Sequence, residues 1–387
     1  MREVSIIGVG RTPIGEHWER GLREIAAGAI QSAMQDAGLG PNDIDALVIG
    51  NALSGIIDRQ GHLGPLLADY AGLRGIEALV VEGADAAGGL AVRQATLMVK
   101  SGEVDTVLVL GAEKITDDTG PSRNSAFGAF TDADYEAAHG ATPTALAGLL
   151  MRRYLETYGL ELGQFEGFSM NAHANGARNK DAMFRNLIKP GRFATAPMVA
   201  SPVNLFDSAP EGDGAAALII TTSERAADRV PRPVRIAGSG AATDSLALHE
   251  RANLLYLQAV NTAVGRALQQ AGYQPDDMNL VELHDTYTVL SALQLEAAGF
   301  AAEGEGWKLA SEGQIGLDGR LPISTFGGLK ARGHALGATG VYQVAEVALQ
   351  LRQQAGDNQV PGAQRGMTIN LGGLGGTAVA HVLERTD

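Results

Sequence analysis

The sequence predicts an α/β protein built from two duplicated βαβ-type halves. Strand-like and helix-like stretches alternate along the chain, and one stretch returns. AMQDAGLGPNDIDALVIGN, from Ala33 to Asn51, recurs as ALQQAGYQPDDMNLVELHD, from Ala267 to Asp285, with Ala-Gly, Pro and Asp at the same spacing. The unit occurs only twice, which argues for paired halves rather than a solenoid. Parallel strands need crossover helices, and the alternation supplies them.

Taken in order, Val4 to Val9 reads as a buried strand, β-branched and bounded by Gly8 and Gly10. Leu22 to Ala37 has helical spacing (Leu22, Ile25, Ala29, Ile30, Ala33, Met34) and stops at Gly38, a natural C-cap. Asp45 to Ile49 is the next strand. VEGADAAGG, Val81 to Gly89, leads into a helix from Leu90 to Val99. The second half opens alike: a strand from Val234 to Ile236 running into Gly238, a helix from Ala263 to Ala271 ending at Gly272, and a strand from Leu280 to Leu283. Phe326 to Gly340, FGGLKARGHALGATG, sets His334 among Gly327, Gly328, Gly333 and Gly337, and a helical run follows from Val341 to Leu351. Such a loop is either a flexible turn or a main chain open to close ligand approach, with free N–H groups facing an anion. Segments 1–114 and 207–225 form the first half, 226–387 the second, and 115–206, rich in Gly, Ala, His and aromatics, lies between them as an insertion.

Composition narrows the function. The chain has 387 residues, 45% hydrophobic and 19% charged, an ordinary globular balance that suggests roughly two to three domain-sized units. A net charge of −14 argues against nucleic acid. No apolar run is long enough to span a bilayer and the N-terminus carries no cleavage pattern, so a cytoplasmic location is expected. One basic stretch, with Arg178, Lys180, Arg185, Lys189 and Arg192 around Phe184, is either a solvated face or a landing site for an anionic ligand. The absence of any cysteine removes disulfides, Cys-ligated metal and thiol nucleophiles.

The boxes themselves carry a resemblance. GHALGATG is similar to the GHPxGATG box of the thiolase superfamily, in the branch of sterol-carrier-protein and archaeal acetoacetyl-CoA thiolases. HDTYT, His284 to Thr288, resembles that branch's HDCFT; INLGGLGG, Ile369 to Gly376, resembles its final strand and turn. NAHANGARNKDAMF (Asn171 to Phe184) and EGDGAAA (Glu211 to Ala217) match further stretches, so the likeness covers nearly the whole chain. It implies a five-layer αβαβα thiolase fold whose inserted loop domain, 115–206, covers a coenzyme A site. Arg178, Lys180, Arg185 and Gly328 would serve that site. A homodimer through the edge near Val80 to Glu82 follows too, and so does a small zinc-ribbon/OB-fold acyl-CoA-associated partner. No metal and no bound cofactor are implied, the coenzyme A thioester being substrate.

Against that family the chain departs at every thiol. Asp85 stands where relatives carry the acylated Cys, Thr286 where they carry the Cys of HDCFT, and Asn370 where many carry an acid/base Cys. Asp85 either caps its helix or takes a catalytic part; a carboxylate is a poor nucleophile toward a thioester. His284 and His334 are kept, as is Gly372, whose N–H the resemblance pairs with that of Asp85 in an oxyanion hole. Enolate chemistry is therefore expected to survive and covalent chemistry to be lost. The leading expectation is retro-aldol cleavage of a β-hydroxyacyl-CoA in lipid metabolism, with Asp85 or Tyr287 as base. The alternatives are a thiolase-type acyltransferase and a catalytically silent CoA- or lipid-binding subunit.

Overall fold

A computed structural model describes residues 2–118 and 120–386. The expected boundary residues 1 and 387, and Thr119 within the insertion, lie outside that description. The first half runs β1 (Val4–Arg11), α1 (Leu22–Ala37), β2 (Ala46–Gly50), α2 (Leu63–Tyr70), β3 (Glu77–Val81), α3 (Ala87–Ser101) and β4 (Thr106–Glu113). Then come α4 (Pro121–Phe127), α5 (Pro143–Tyr158), α6 (Glu166–Arg178) and the short pair β5 (Met198–Ala200) and β6 (Val203–Asn204). β7 (Gly214–Thr222) returns to the first half, and α7 (Ser223–Ala227) leads out of it. The second half holds β8 (Val234–Thr243), α8 (Gln258–Ala271), β9 (Leu280–Glu282), α9 (Thr288–Ala297), α10 (Gly306–Ser311), α11 (Thr339–Leu351), β10 (Arg365–Gly372) and β11 (Thr377–Arg385).

The expected duplication is present in three dimensions. α1 ends at Gly38 (φ 65) and α8 at Gly272 (φ 76), and each is followed by a 3-10 turn beginning with Pro, Pro41–Asp43 and Pro275–Asp277. The same helix-on-strand contact is built twice. A Cβ at Gly8 or Gly10 of β1 would lie 2.4 or 2.1 Å from the carbonyls of Ala33 and Ala29 in α1. At Gly238 or Gly240 of β8 it would lie 1.9 or 2.0 Å from those of Ala267 and Ala263 in α8. Only glycine lets each helix settle so close to its strand.

Two findings go past the sequence. The halves do not keep separate sheets: β1 pairs antiparallel with β8 through Ser5 and Ile6, giving one nine-stranded sheet in the order β3-β2-β4-β7-β1-β8-β11-β10-β9. And β10 is not the last strand; β11 follows, antiparallel to both β10 and β8. α1 covers β1, β4 and β7 on one side, α8 covers β8 and β11 on the other, and α3 and α11 pack on each other between the two portions of the sheet. The alternation is the five-layer αβαβα sandwich. Its middle layer has an apolar seam, with Ala91, Val92, Ala95 and Val99 of α3 meeting Val341, Val344, Ala345 and Ala348 of α11. That layer fixes the site, because both helices begin there.

Candidate active site

The turn Ala84–Ala86 carries Asp85 up to the start of α3. Ala84 holds φ 49, a left-handed conformation costing about 1–2 kcal/mol for a residue with a Cβ. The expected alternative that Asp85 caps α3 does not hold: Ala86 takes the cap position without a side-chain cap bond, and the first-turn N–H of Gly89 is taken by Asn370 rather than Asp85. The tight turn aims the carboxylate away from the helix. Asp85 Oδ1 is buried without a hydrogen-bond partner among the described residues, and Oδ2 lies 3.8 Å from Nε2 of both His284 and His334. The two imidazoles stand edge to face, centroids 5.2 Å apart.

Asn370 sets the proton on His284. Its Oδ1 accepts the N–H of Gly89 at 3.1 Å, and its Nδ2 donates to the carbonyl of Asp85 at 3.2 Å. The amide is thereby oriented, and the same Nδ2 faces His284 Nδ1 at 3.1 Å. Nδ1 must accept, so the neutral ring carries its hydrogen on Nε2. Burial, with help from His334 and Arg332, holds this imidazole well below its ordinary pKa and so neutral. Its Nε2–H has no partner among the described residues. It is an unspent donor in a buried place, poised for an oxyanion.

Asp85, His284 and His334 are also the group among the described residues whose ligand atoms converge as a metal site would require, all within 4.8 Å. The donor set fits a cation poorly. A metal-bound His turns a lone pair inward and donates from its other nitrogen, whereas Asn370 makes His284 do the reverse.

His334 is held by its main chain: its N–H donates to the carbonyl of Pro210 at 2.9 Å, and its carbonyl accepts from Gly212 at 3.0 Å. Its Nδ1 meets the Thr339 hydroxyl at 2.8 Å. Behind it Glu113 accepts the N–H groups of Ala52, Leu53 and Gly337 and the Asn51 amide, joining the halves. Burial pushes this carboxyl up to about 8 against those donors. The glycines of the loop are contact points. A Cβ at Gly340 would sit 2.2 Å from the Gly89 nitrogen and 2.3 Å from Asn370 Oδ1.

Asp85 and His334 floor a pocket of about 210 Å³, walled by Phe127, Phe130, Thr144, Leu336 and Leu374 and reached by Glu211, Thr286 and Tyr287, while His284 is fully buried next to Asp85 and off the wall itself. The Thr286 hydroxyl is buried and has no partner among the described residues. Tyr287 shares a hydrogen bond with Thr144 at 2.8 Å, and burial drives its phenol above the ordinary value. Gly373 and Leu374, rather than Gly372, line this pocket; Gly372 ends β10 beside the carbonyl of Gly83.

A second cavity, about 730 Å³, lies across the strip Ser208–Pro210 and is lined by His173, Phe184, Lys189, Arg192, Phe206 and Lys330. The expected set of Arg178, Lys180, Arg185 and Gly328 does not line it. The three cations are exposed, at and after the end of α6, and Gly328 is buried, with a Cβ position 2.1 Å from the Asp285 carboxylate. Lys330 was not singled out in the sequence. Its ammonium donates to the carbonyls of Leu205 (3.1 Å) and Ser208 (2.7 Å), and burial lowers it to about 8. Glu113 carries no local signal in the sequence and Glu211 stands there only as the first residue of EGDGAAA, since both owe their positions to contacts far apart in sequence.

Comparison with known proteins agrees with this architecture. The family pattern for the thiolase N-terminal domain matches residues 4–197, and that for the thiolase C-terminal domain-like unit matches 240–385. The chain is 39% identical to an acetyl-CoA acetyltransferase of Methanothermobacter thermautotrophicus over 100% of both chains. It is 38% identical to one of Methanocaldococcus jannaschii over 99% of both. Among solved structures, the Ltp2-ChsH2(DUF35) aldolase superposes with a TM-score of 0.84 at 24% identity, over 99% of this chain and 97% of that one. The similarity runs through both halves and the insertion, and the chain belongs to the thiolase superfamily.

Proposed function

We propose that this protein is a carbon–carbon lyase of acyl-CoA thioesters that cleaves a β-hydroxyacyl-CoA by retro-aldol chemistry. The observation that carries this reading is a buried, unpaired Asp85 carboxylate facing two imidazoles in a chain without a thiol. Asp85 takes the β-hydroxyl proton, the carbon–carbon bond breaks to leave an aldehyde or ketone, and the electron pair moves into a CoA enolate. The Nε2–H of His284, with His334, holds the enolate oxygen. Tyr287 is the weaker candidate base, because its phenol holds its proton more tightly than a free one. The aldolase named among the structural neighbours is in keeping with this reading at the level of fold. The larger cavity suits coenzyme A, with Lys189 and Arg192 toward its phosphates.

A second reading, a thiolase-type acyltransferase, is favoured by the names of the two archaeal relatives. The reactions part at one step, since acyl transfer goes through a covalent acyl-enzyme. Incubation with labelled acetyl-CoA followed by intact-mass measurement is expected to leave the chain unmodified, while β-hydroxyacyl-CoA is split to acyl-CoA and a carbonyl product. A stable acyl adduct would replace the lyase with the transferase.

The working unit is proposed to be a homodimer. β3 forms one edge of the sheet, and its Val80 is 43% exposed in the single chain; such an open apolar edge calls for a cover. A monomer at micromolar concentration in sedimentation would refute this. The Ltp2-ChsH2(DUF35) structure joins an aldolase to a second protein, and a small associated protein is proposed here on that analogy. No helix among the described residues is long and apolar enough to cross a membrane.

A further inference from the structure

Retro-aldol cleavage makes two proton transfers at different atoms, one from the β-hydroxyl and one to the α-carbon of the enolate. Asp85 accounts for the first. The carrier for the second is missing from the place where the family resemblance puts it, because Asn370 cannot yield a proton and its amide is already committed to the Asp85 carbonyl and to His284. Thr286 and Tyr287 reach the pocket, but an alcohol and a buried phenol are too weakly acidic for the task. His284 and His334 are spent on the enolate oxygen. Donors to that oxygen lie near the enolate plane, whereas the α-carbon is protonated from above or below it.

One carboxyl remains on the pocket wall, that of Glu211. Its segment is wedged between the two histidine boxes. Ala209 donates its N–H to the carbonyl of Thr286 at 2.8 Å, the carbonyl of Pro210 accepts from His334 at 2.9 Å, and Gly212 donates to the carbonyl of His334 at 3.0 Å. With both flanks pinned, Glu211 is held against the reacting centre rather than left on a loose turn. We infer, building on the lyase reading, that Glu211 is the proton donor to the α-carbon of the CoA enolate, replacing the thiol that this chain lacks.

The neighbouring charges suit that task. Burial raises the Glu211 carboxyl, and the nearby Asp85 carboxylate works the same way, while His334 and Arg123 oppose them. A carboxyl whose burial favours its protonated form is suited to giving a proton. The step balances. Asp85 carboxylate becomes the acid as the hydroxyl proton leaves. The carbon–carbon electron pair becomes the enolate, and the Glu211 proton moves to the α-carbon to give acyl-CoA. Exchange with water then returns both groups to their starting states.

By microscopic reversibility the same carboxylate must remove an α-proton from the acyl-CoA product. The test is exchange of α-hydrogens of acetyl-CoA in D2O, followed by mass spectrometry, which needs no cleavage substrate. The unaltered protein is expected to catalyse exchange. Glu211→Gln, nearly the same in shape, is expected to lose it by about a hundredfold or more, with CoA affinity and melting temperature kept. Glu211→Asp, whose carboxyl is drawn back by one methylene, is expected to keep part of it. Full exchange in Glu211→Gln, or none in the unaltered protein, overturns the inference. Glu211-dependent exchange without cleavage of any β-hydroxyacyl-CoA keeps Glu211 as the α-carbon acid and sinks the lyase reading instead.

Discussion

Asp213 and Asp85 are both buried aspartates set among glycines, and the fold treats them in opposite ways. Asp213 Oδ1 accepts the N–H groups of Ile115 and Thr116, at 2.7 and 2.9 Å. Its Oδ2 accepts the Thr116 hydroxyl, the Lys114 ammonium and the N–H of His17, at 2.6, 2.9 and 3.0 Å. Among the described residues Asp85 has one oxygen with no partner and another that faces the two imidazoles. Buried polar groups are normally satisfied, and an exception asks for a reason. The difference teaches where each aspartate's binding capacity goes. At Asp213 it is consumed in holding the start of the insertion to the first half. At Asp85 it is left for a ligand.

The largest effect is expected at Asp85. Asp85→Asn keeps the shape and removes the base, so cleavage should fall about 10²–10⁴-fold. The melting temperature should hardly move, since no hydrogen bond of the side chain is lost. Melting curves and steady-state cleavage rates on the same preparation check both halves. Nearly full activity would move the base to Tyr287 and leave Asp85 an unexplained orphan, and the contrast with Asp213 would collapse.

Asp213→Ala should do the reverse, costing about 1–3 kcal/mol of stability by leaving the buried N–H groups of Ile115 and Thr116 without their acceptor, although Lys114 keeps its ion pair with Asp117 at 2.6 Å. Its pH dependence has a definite sign. Burial alone would raise the Asp213 carboxyl, but the Thr116 hydroxyl, the Ile115 N–H, Lys114 and the His17 N–H together lower it below 3.8. A depressed carboxyl stabilises the fold above its unfolded value, and the contribution disappears as pH falls through the lower folded value. Denaturant titrations should therefore show a gap between the two proteins that is constant near neutrality and closes only in acid. A gap below about 1 kcal/mol would show that a satisfied aspartate is dispensable here.

How much of this contrast can be read from the sequence depends on distance along the chain. α1 spans the expected Leu22–Ala37, because its apolar spacing and Gly38 are local signals. The histidine boxes were legible for the same reason. Partners from afar leave no pattern in a single sequence. Glu113 takes a donor from Gly337, Asp213 takes its donors from residues 17 and 114–116, and Glu211 is pinned by Thr286 and His334. Asp85 was ambiguous for another reason. Composition favours an aspartate cap at a helix start, and only the turn at Ala84 turns the side chain away.

His334→Ala sharpens the unsatisfied side of the comparison. Loss of one oxyanion donor should lower kcat by about 10²–10³-fold. The main-chain bonds to Pro210 and Gly212 remain, so the loop should survive and CoA affinity should change little. Retention of more than about a tenth of the activity would leave His284 as the sufficient donor.

The smallest effect extends the comparison to the surface, where the question is again which charges are already committed. Lys330 lines the larger cavity, but its ammonium is tied to the carbonyls of Leu205 and Ser208. Lys189 and Arg192 line the same cavity, and neither has an ion pair among those described. Arg178 and Arg185 belong to the same basic stretch yet stand off the cavity wall. If coenzyme A phosphates land at the mouth of this cavity, reversing Lys189 and Arg192 to Glu should weaken CoA binding by roughly tenfold, at up to about 1 kcal/mol per exposed charge pair. Reversing Arg178 and Arg185 should change it by no more than about twofold. The first effect should shrink as salt rises from low to physiological strength, because exposed phosphate contacts are screened. Calorimetric titration of CoA at two salt concentrations measures all of this on three proteins. Equal losses from the two reversed pairs would mean that the field of the whole stretch, rather than its place on the cavity wall, draws the ligand in.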